Sequence, residues 1–414
     1  MTRNWDIIQQ GDWIVIKMPS GNQKLIQLQP NVQIELGKFG KFQSSELIGK
    51  YYSVPLEIYD RDKLKRVENT DYLLDFEIDP RVETDATNQE IFDDANSQKL
   101  TQKDIEEMKL KSLDGSVHHQ TIIKEIVSNN EKFNEKTEFA KAKYIKRKVK
   151  KYSKIFIPLF PNARNLIEYH NLKNPEKIHE LRIDSLSQIL TYANVRAGSR
   201  MLVCDDTGGL LATAILERTH GLGTCYFFHD GQNASLEIMK CSNFSNEVLS
   251  SFKTFAYQNI GKQPELREIE EGADVKPELI EKINARNANI KETFSTLEQG
   301  GFDSLIISTK FDTTEVIKKL EQFLAPSAIV VAYSARKELI LEAYEYCRKS
   351  PSYANTFLTE SWLREYQVPV FTSGTHPNMM MSGSGGFIFS ATTVTTPEGL
   401  VIDKTTKRRK TSKN

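Results

Sequence analysis

No apolar run in these 414 residues approaches the ~20 needed to cross a bilayer, so a membrane-spanning role is not expected. The opening Met-Thr-Arg-Asn-Trp-Asp has no apolar leader, and no secretion signal is expected. Only four cysteines occur (Cys204, Cys225, Cys241 and Cys347), and none has Cys-x-x-Cys spacing. The thiols therefore read as reduced, buried packing residues of a nuclear or cytosolic protein, not as a zinc site or disulfide framework, and no metal site is expected. Net charge is also missing: 55 Lys and Arg balance 55 Asp and Glu. The balance hides strong segregation along the chain, and that carries information.

One absence is local. Residues 201–214 read Met-Leu-Val-Cys-Asp-Asp-Thr-Gly-Gly-Leu-Leu-Ala-Thr-Ala, the strand, tight turn and helix that open a doubly wound sheet. A nucleotide-binding turn of the methyltransferase type reads acid-x-Gly-x-Gly-x-Gly, because bare backbone must approach the ligand. With Asp206 as the acid, Gly208 takes the first glycine position, but Leu210 and Ala212 take the second and third. The cofactor loop is degenerate. An ordinary strand–turn–helix with a Gly pair is the plain alternative.

The chain divides by pattern into four stretches. Residues 1–60 alternate polar and apolar in segments split by Pro, Gly and Asn, which predicts a small antiparallel β-barrel used for packing or for nucleic acid. Residues 61–155 form an acidic linker followed by helices. From residue 57 to 94 there are 13 acids against 5 bases and no periodicity. Residues 156–400 alternate strands with helices of 10–12 residues and close with an antiparallel pair, the methyltransferase variant of the doubly wound Rossmann sheet. Residues 401–414 are a basic tail whose Lys404-Thr-Thr-Lys-Arg-Arg-Lys410 fits nuclear import, with RNA contact as the competing reading.

The strongest electrostatic feature is Lys141-Ala-Lys-Tyr-Ile-Lys-Arg-Lys-Val-Lys-Lys-Tyr-Ser-Lys154, with eight bases and no acid. As a helix it would place Ile145, Val149, Tyr152 and Phe156 on one stripe and cations elsewhere, an anchored surface that neutralises phosphates. A solvated basic face or a localisation signal would show the same charge. Two further points bear on catalysis. Asp230 stands at the carboxyl end of the second strand, where an acid could hold ribose hydroxyls. A base-modifying methyltransferase keeps its polar catalytic group at the end of the strand at 303–308, yet here the chain reads Ser308-Thr-Lys310-Phe.

These pieces resemble the family of non-catalytic subunits of the eukaryotic tRNA (adenine-58-N1) methyltransferase. The resemblance rests on Leu36-Gly-Lys-Phe-Gly-Lys-Phe-Gln, Ser97-Gln-Lys-Leu-Thr-Gln and Lys143-Tyr-Ile-Lys-Arg-Lys-Val-Lys-Lys-Tyr152. It rests also on Arg196-Ala-Gly-Ser, on Trp362-Leu-Arg-Glu-Tyr-Gln-Val368, and on Thr375-His-Pro-Asn-Met-Met-Met-Ser-Gly-Ser-Gly-Gly386. It implies no catalytic residue and no cofactor held by this chain, with S-adenosylmethionine on a catalytic partner. It also implies a heterotetramer with two of each chain and shared binding of tRNA; the nuclear location expected for the chain rests on the tail at 404–410. Candidate RNA contacts are Ser97, Gln98, Lys99, Lys143, Tyr144, Lys146, Arg147, Lys148, Lys150, Lys151, Tyr152, Arg182, Lys310, Arg364, Tyr366, Gln367, Thr375 and His376. In the last motif the glycines could instead form the bend before the final strand, with Met379 to Met381 packing a subunit interface. Two other readings remain: an active methyltransferase with a divergent loop, resting on Asp230, and a stand-alone RNA-binding scaffold.

Overall fold

A computed structural model of the chain describes residues 6–59, 62–67, 98–113, 117–231, 233–263, 266, 277–367 and 375–394. Most of the acidic stretch, Ser97, residues 368–374 and the basic tail lie outside the described residues. The chain forms two compact units. The first comprises the described residues up to Lys173 with Cys241–Asn243 and Arg364–Ser382; the second comprises the remainder.

The first unit begins with β1 (Trp13–Lys17), β2 (Gln23–Gln27), β3 (Gln33–Glu35), β4 (Lys41–Gln43), β5 (Leu56–Tyr59) and β6 (Lys63–Arg66). Helices α1 (Gln102–Leu113), α2 (His119–Ser128) and α3 (Glu138–Tyr152) follow, then β7 (Ile155–Leu159) and α4 (Ala163–Lys173). The barrel expected over 1–60 is, among the described residues, an antiparallel five-stranded sheet of order β2-β1-β7-β5-β6 with a separate β3–β4 ribbon. Strand β7 pairs with both β1 and β5, so the boundary expected at 155/156 falls inside this sheet. Phe156 therefore does not lie on the stripe of the basic helix as expected. The helix ends at Tyr152, and Phe156 stacks on Phe42 at 5.1 Å in the strand core. Burying that ring is worth roughly 2–3 kcal/mol, which no helical extension into solvent would match.

The three helices are built as their sequences suggest. Thr101 and Asp104 cap α1 reciprocally, Thr101 N and Oγ1 donating to Asp104 Oδ2 and Asp104 N to Thr101 Oγ1. Ile122, Ile123, Ile126 and Val127 of α2 meet Ile145 and Tyr152 of α3 in one apolar cluster. Thr137 Oγ1 accepts from Ala140 N at the start of α3.

The second unit runs α5 (Ile183–Tyr192), β8 (Arg200–Asp205), α6 (Leu210–Thr219), β9 (Thr224–His229), α7 (Asn246–Ser250) and β10 (Phe252–Ala256). It continues with α8 (Pro277–Gln299), β11 (Phe302–Ser308), α9 (Thr313–Leu320), β12 (Leu324–Ser334), α10 (Glu338–Lys349) and β13 (Tyr353–Trp362). After β14 (Tyr366–Gln367) and β15 (His376–Pro377), a hairpin of the first unit, β16 (Ser384–Thr393) completes the sheet. Its order is β10-β9-β8-β11-β12-β16-β13. Strands β8 to β12 run parallel, while β16 is antiparallel to both β12 and β13. Chain order reverses between β8 and β11, so their carboxyl ends form the crevice where a doubly wound sheet holds ligands. Residues 205–212, Asp230 and Ser308 with the turn after it converge there.

Candidate nucleic-acid interface and a closed cofactor turn

The turn after β8 is held by its own acids. Asp205 is 4% exposed; its Oδ1 accepts from Thr207 N (2.7 Å) and Thr207 Oγ1, and its Oδ2 from Leu211 N (3.1 Å). Burial pushes this carboxyl up to about 6, against the pull of those donors. Asp206 Oδ2 accepts from Thr309 Oγ1 (2.5 Å) and Lys310 N (2.8 Å), tying the turn after β8 to the turn after β11. The amide donors that a phosphate or a carboxylate ligand would use at the head of α6 are thus partly taken by the chain.

The glycines face protein as well. Gly208 and Gly209 both have left-handed φ (+71° and +82°), which only glycine adopts without strain. A Cβ on Gly208 would lie 3.1 Å from Ile238, and one on Gly209 would lie 3.0 Å from Met239 and 3.1 Å from Leu236. The Gly208 carbonyl accepts from Ile238 N at 3.0 Å. Leu210 and Ala212 are wholly buried, and Asp230 is exposed, its Oδ1 accepting from the adjacent Gly231 N. Leu236, Ile238 and Met239 thus pack against the two glycines.

Sequence reasoning missed His179. It and Glu180 are consecutive non-glycine residues with left-handed φ (53° and 56°), a costly conformation. This backbone sets His179 Nδ1 at 3.1 Å from Ser308 Oγ, and Tyr333 Oη donates to the His179 carbonyl. Burial lowers the imidazole pKa; Asp206 opposes that shift and Lys310 adds to it. No periodic segment contains His179, so no sequence signal marked it. Asp312, the acid beyond the turn, caps α9 by accepting from Thr314 N (2.7 Å) and Glu315 N (3.1 Å). It is a structural acid.

The basic helix is the opposite kind of surface. Lys143, Lys146, Arg147, Lys150 and Lys151 are exposed along α3. Ile145 is 1% exposed, and Val149 packs against the cluster that anchors the helix. Lys148 is half-buried over the Tyr144 ring at 4.7 Å, and Tyr144 Oη accepts from Asn130 Nδ2. Tyr152 is 8% exposed inside the helical core, so it anchors the helix and offers no open stacking face.

The remaining candidates divide. Tyr366, Gln367, Thr375 and His376 are exposed on the β14–β15 hairpin, where Gln367 pairs with His376. Arg364 donates to the Asn378 carbonyl at 3.2 Å and braces that hairpin. Gln98 donates to the Ile126 carbonyl, and Lys99 pairs with Glu131 at 3.1 Å. Arg182 is taken: its Nε and Nη2 grip Asp184 (2.9 and 2.7 Å), and Nη2 also reaches the Gly383 carbonyl (3.0 Å). Lys310 is exposed. The glycines of the last motif are packed rather than open. A Cβ on Gly383 would stand 2.5 Å from Trp362 Nε1, one on Gly385 would stand 2.4 Å from Ser361 Oγ, and Gly386 has φ +89°.

A second feature escaped the sequence. Glu57 on β5 meets His118 and His119 at the head of α2, with His118 Nε2 2.5 Å and His119 Nδ1 3.2 Å from Glu57 Oε1.

The sequence profile of the Gcd10p family matches residues 7–284, a span that includes the strand domain, the basic helix and the closed turn. The chain belongs to the Gcd10p family. It is 32% identical to the tRNA (adenine(58)-N(1))-methyltransferase non-catalytic subunit of Dictyostelium discoideum, across 95% of this chain and 80% of that protein. The subunit of the same name from Mus musculus is 29% identical, across 94% of this chain and 88% of that one. Among solved structures, a SAM-dependent O-methyltransferase from Thermotoga maritima matches with a TM-score of 0.50, covering 95% of this chain and 97% of that one. At 12% identity that likeness speaks to fold alone. For this Gcd10p-family chain it supports a methyltransferase-like, doubly wound architecture beside an antiparallel N-terminal domain.

Proposed function

We propose that this chain is the non-catalytic, tRNA-binding subunit of a tRNA (adenine-58-N1) methyltransferase complex, required with a catalytic partner for N1-methylation of adenine 58. The observation that carries the reading is a methyltransferase sheet whose cofactor turn is closed by the chain's own Asp205, Ile238 and Met239. The relatives' names point the same way.

In this reading S-adenosylmethionine sits on the partner. Residues 205–212 do not suit it, because their donors and their glycine faces already meet protein atoms. Two copies of each chain assemble, and the tail at 404–410 directs the complex to the nucleus. Helix α3 and the exposed β14–β15 side chains hold tRNA mainly through phosphates, releasing condensed counterions. Affinity therefore falls steeply with salt and depends little on sequence.

Asp230 alone favours an active enzyme, since it occupies the ribose-binding position at the end of β9. The closed turn beside it opposes that reading. The test is reconstitution. Purified chain alone should transfer no methyl group to tRNA, the catalytic partner alone little, and the two together should restore full activity. Methylation by this chain alone would overturn the proposal, and a partner fully active without it would do the same.

A further inference from the structure

Glu57, His118 and His119 are brought together from separate parts of the first unit, the middle of a strand and the head of a helix. One donor atom from each lies within 4.8 Å of the others. Glu57 is 9% and His119 1% exposed, while the His118 side chain is 47% exposed, so a small ion has a solvent-facing side from which to arrive. Glu57 Oε1 is shut off from water, and what faces it are the two imidazole nitrogens.

We propose that Glu57, His118 and His119 form a divalent-metal site of the zinc class, with water completing the coordination. Two imidazoles and one carboxylate are a donor set that zinc takes with a fourth position open. Tetrahedral zinc at ~2.0 Å from each donor separates the donors by roughly 3.3 Å. The His119–Glu57 separation of 3.2 Å already matches, and the His118 ring has to withdraw by less than ~1 Å from its present 2.5 Å.

Two features weaken the site without abolishing it. His118 Nδ1 now accepts from Gln120 N, and a metal on Nε2 requires a proton on Nδ1, so that cap is given up on binding. Lys154, whose charge acts on His119, is a nearby cation, although its ammonium is directed to the Ser112 carbonyl. The consequence is mechanical: α2 packs directly on α3 in one apolar cluster, so a metal joining β5 to α2 braces the module that carries the basic helix.

The test uses the full chain stripped with a chelator and then titrated with zinc alone against a chromophoric competitor. One equivalent per chain should bind with a dissociation constant at or below the micromolar range, and zinc should raise the melting temperature. His118→Asn is the discriminating variant, because asparagine is itself a good helix N-cap and keeps α2 closed while deleting a ligand. It should weaken zinc binding at least tenfold and abolish the thermal shift, and Glu57→Gln should act in the same direction. Failure of the unsubstituted chain to bind an equivalent, or His118→Asn and Glu57→Gln binding as it does, would overturn the proposal.

Discussion

The turn after β8 and the helix α3 treat charge in opposite ways. In the turn, Asp205 points inward to Thr207 and Leu211, and Asp206 to Thr309 and Lys310. Along α3 the apolar residues go inward, and Lys143, Lys146, Arg147, Lys150 and Lys151 stay in water. A polar group saturated by its own chain offers little to a ligand. A row of exposed cations adds little to the fold and waits for an anion. In the proposed reading the turn serves as scaffold, and tRNA binding rests on a different element.

The largest test of this contrast reverses Lys146, Arg147, Lys150 and Lys151 to Glu together. Eight units of charge change on an exposed face, so tRNA affinity near 0.1 M salt should drop roughly thousandfold, and the log–log salt slope should flatten by about 3. The melting temperature should move little, and a filter-binding series across salt reads both affinity and slope. Tyr152→Ala probes the buried side of the same helix. It should cost about 3 kcal/mol of stability in a urea titration while leaving the salt slope of tRNA binding intact. A flattened slope would mean that Tyr152 works at the RNA surface after all.

Asp205→Asn sharpens the other half of the comparison. The carboxyl is raised from an ordinary value of 3.8 to about 6, so the native state keeps its proton where the unfolded chain has lost it. Ionisation then opposes folding: this contribution is most favourable below pH ~4 and is lost as pH rises through ~6, by up to roughly 3 kcal/mol. The Asn variant should lack that decline, as denaturant midpoints at pH 4, 5, 6 and 7 would reveal. Smallest of all, Asp230→Ala should leave methylation by the reconstituted complex within about twofold. A collapse of activity would return Asp230 to the chemistry.

What could be read from the sequence was local. The strand–turn–helix at 201–214, the capping of α1 by Thr101 and Asp104, and the apolar stripe of α2 and α3 each repeat within a few residues. What could not be read depends on distant partners. Nothing near Phe156 announces that residues 155–159 pair between β1 and β5. Arg182 looks like a free cation until Asp184 and the Gly383 carbonyl close on it. Tyr152 has the spacing of an anchor and the chemistry of a stacking residue, and burial decides for the anchor. His179 and the Glu57 cluster depend on backbone conformation and long-range register, for which composition has no signal.

The central claim is that the fold survives here without its cofactor. Calorimetric titration of S-adenosylmethionine into the purified full chain tests it most directly. The closed turn predicts no saturable heat, while the same titration into the reconstituted complex gives one binding event per catalytic partner. Stoichiometric binding to this chain alone would contradict the account.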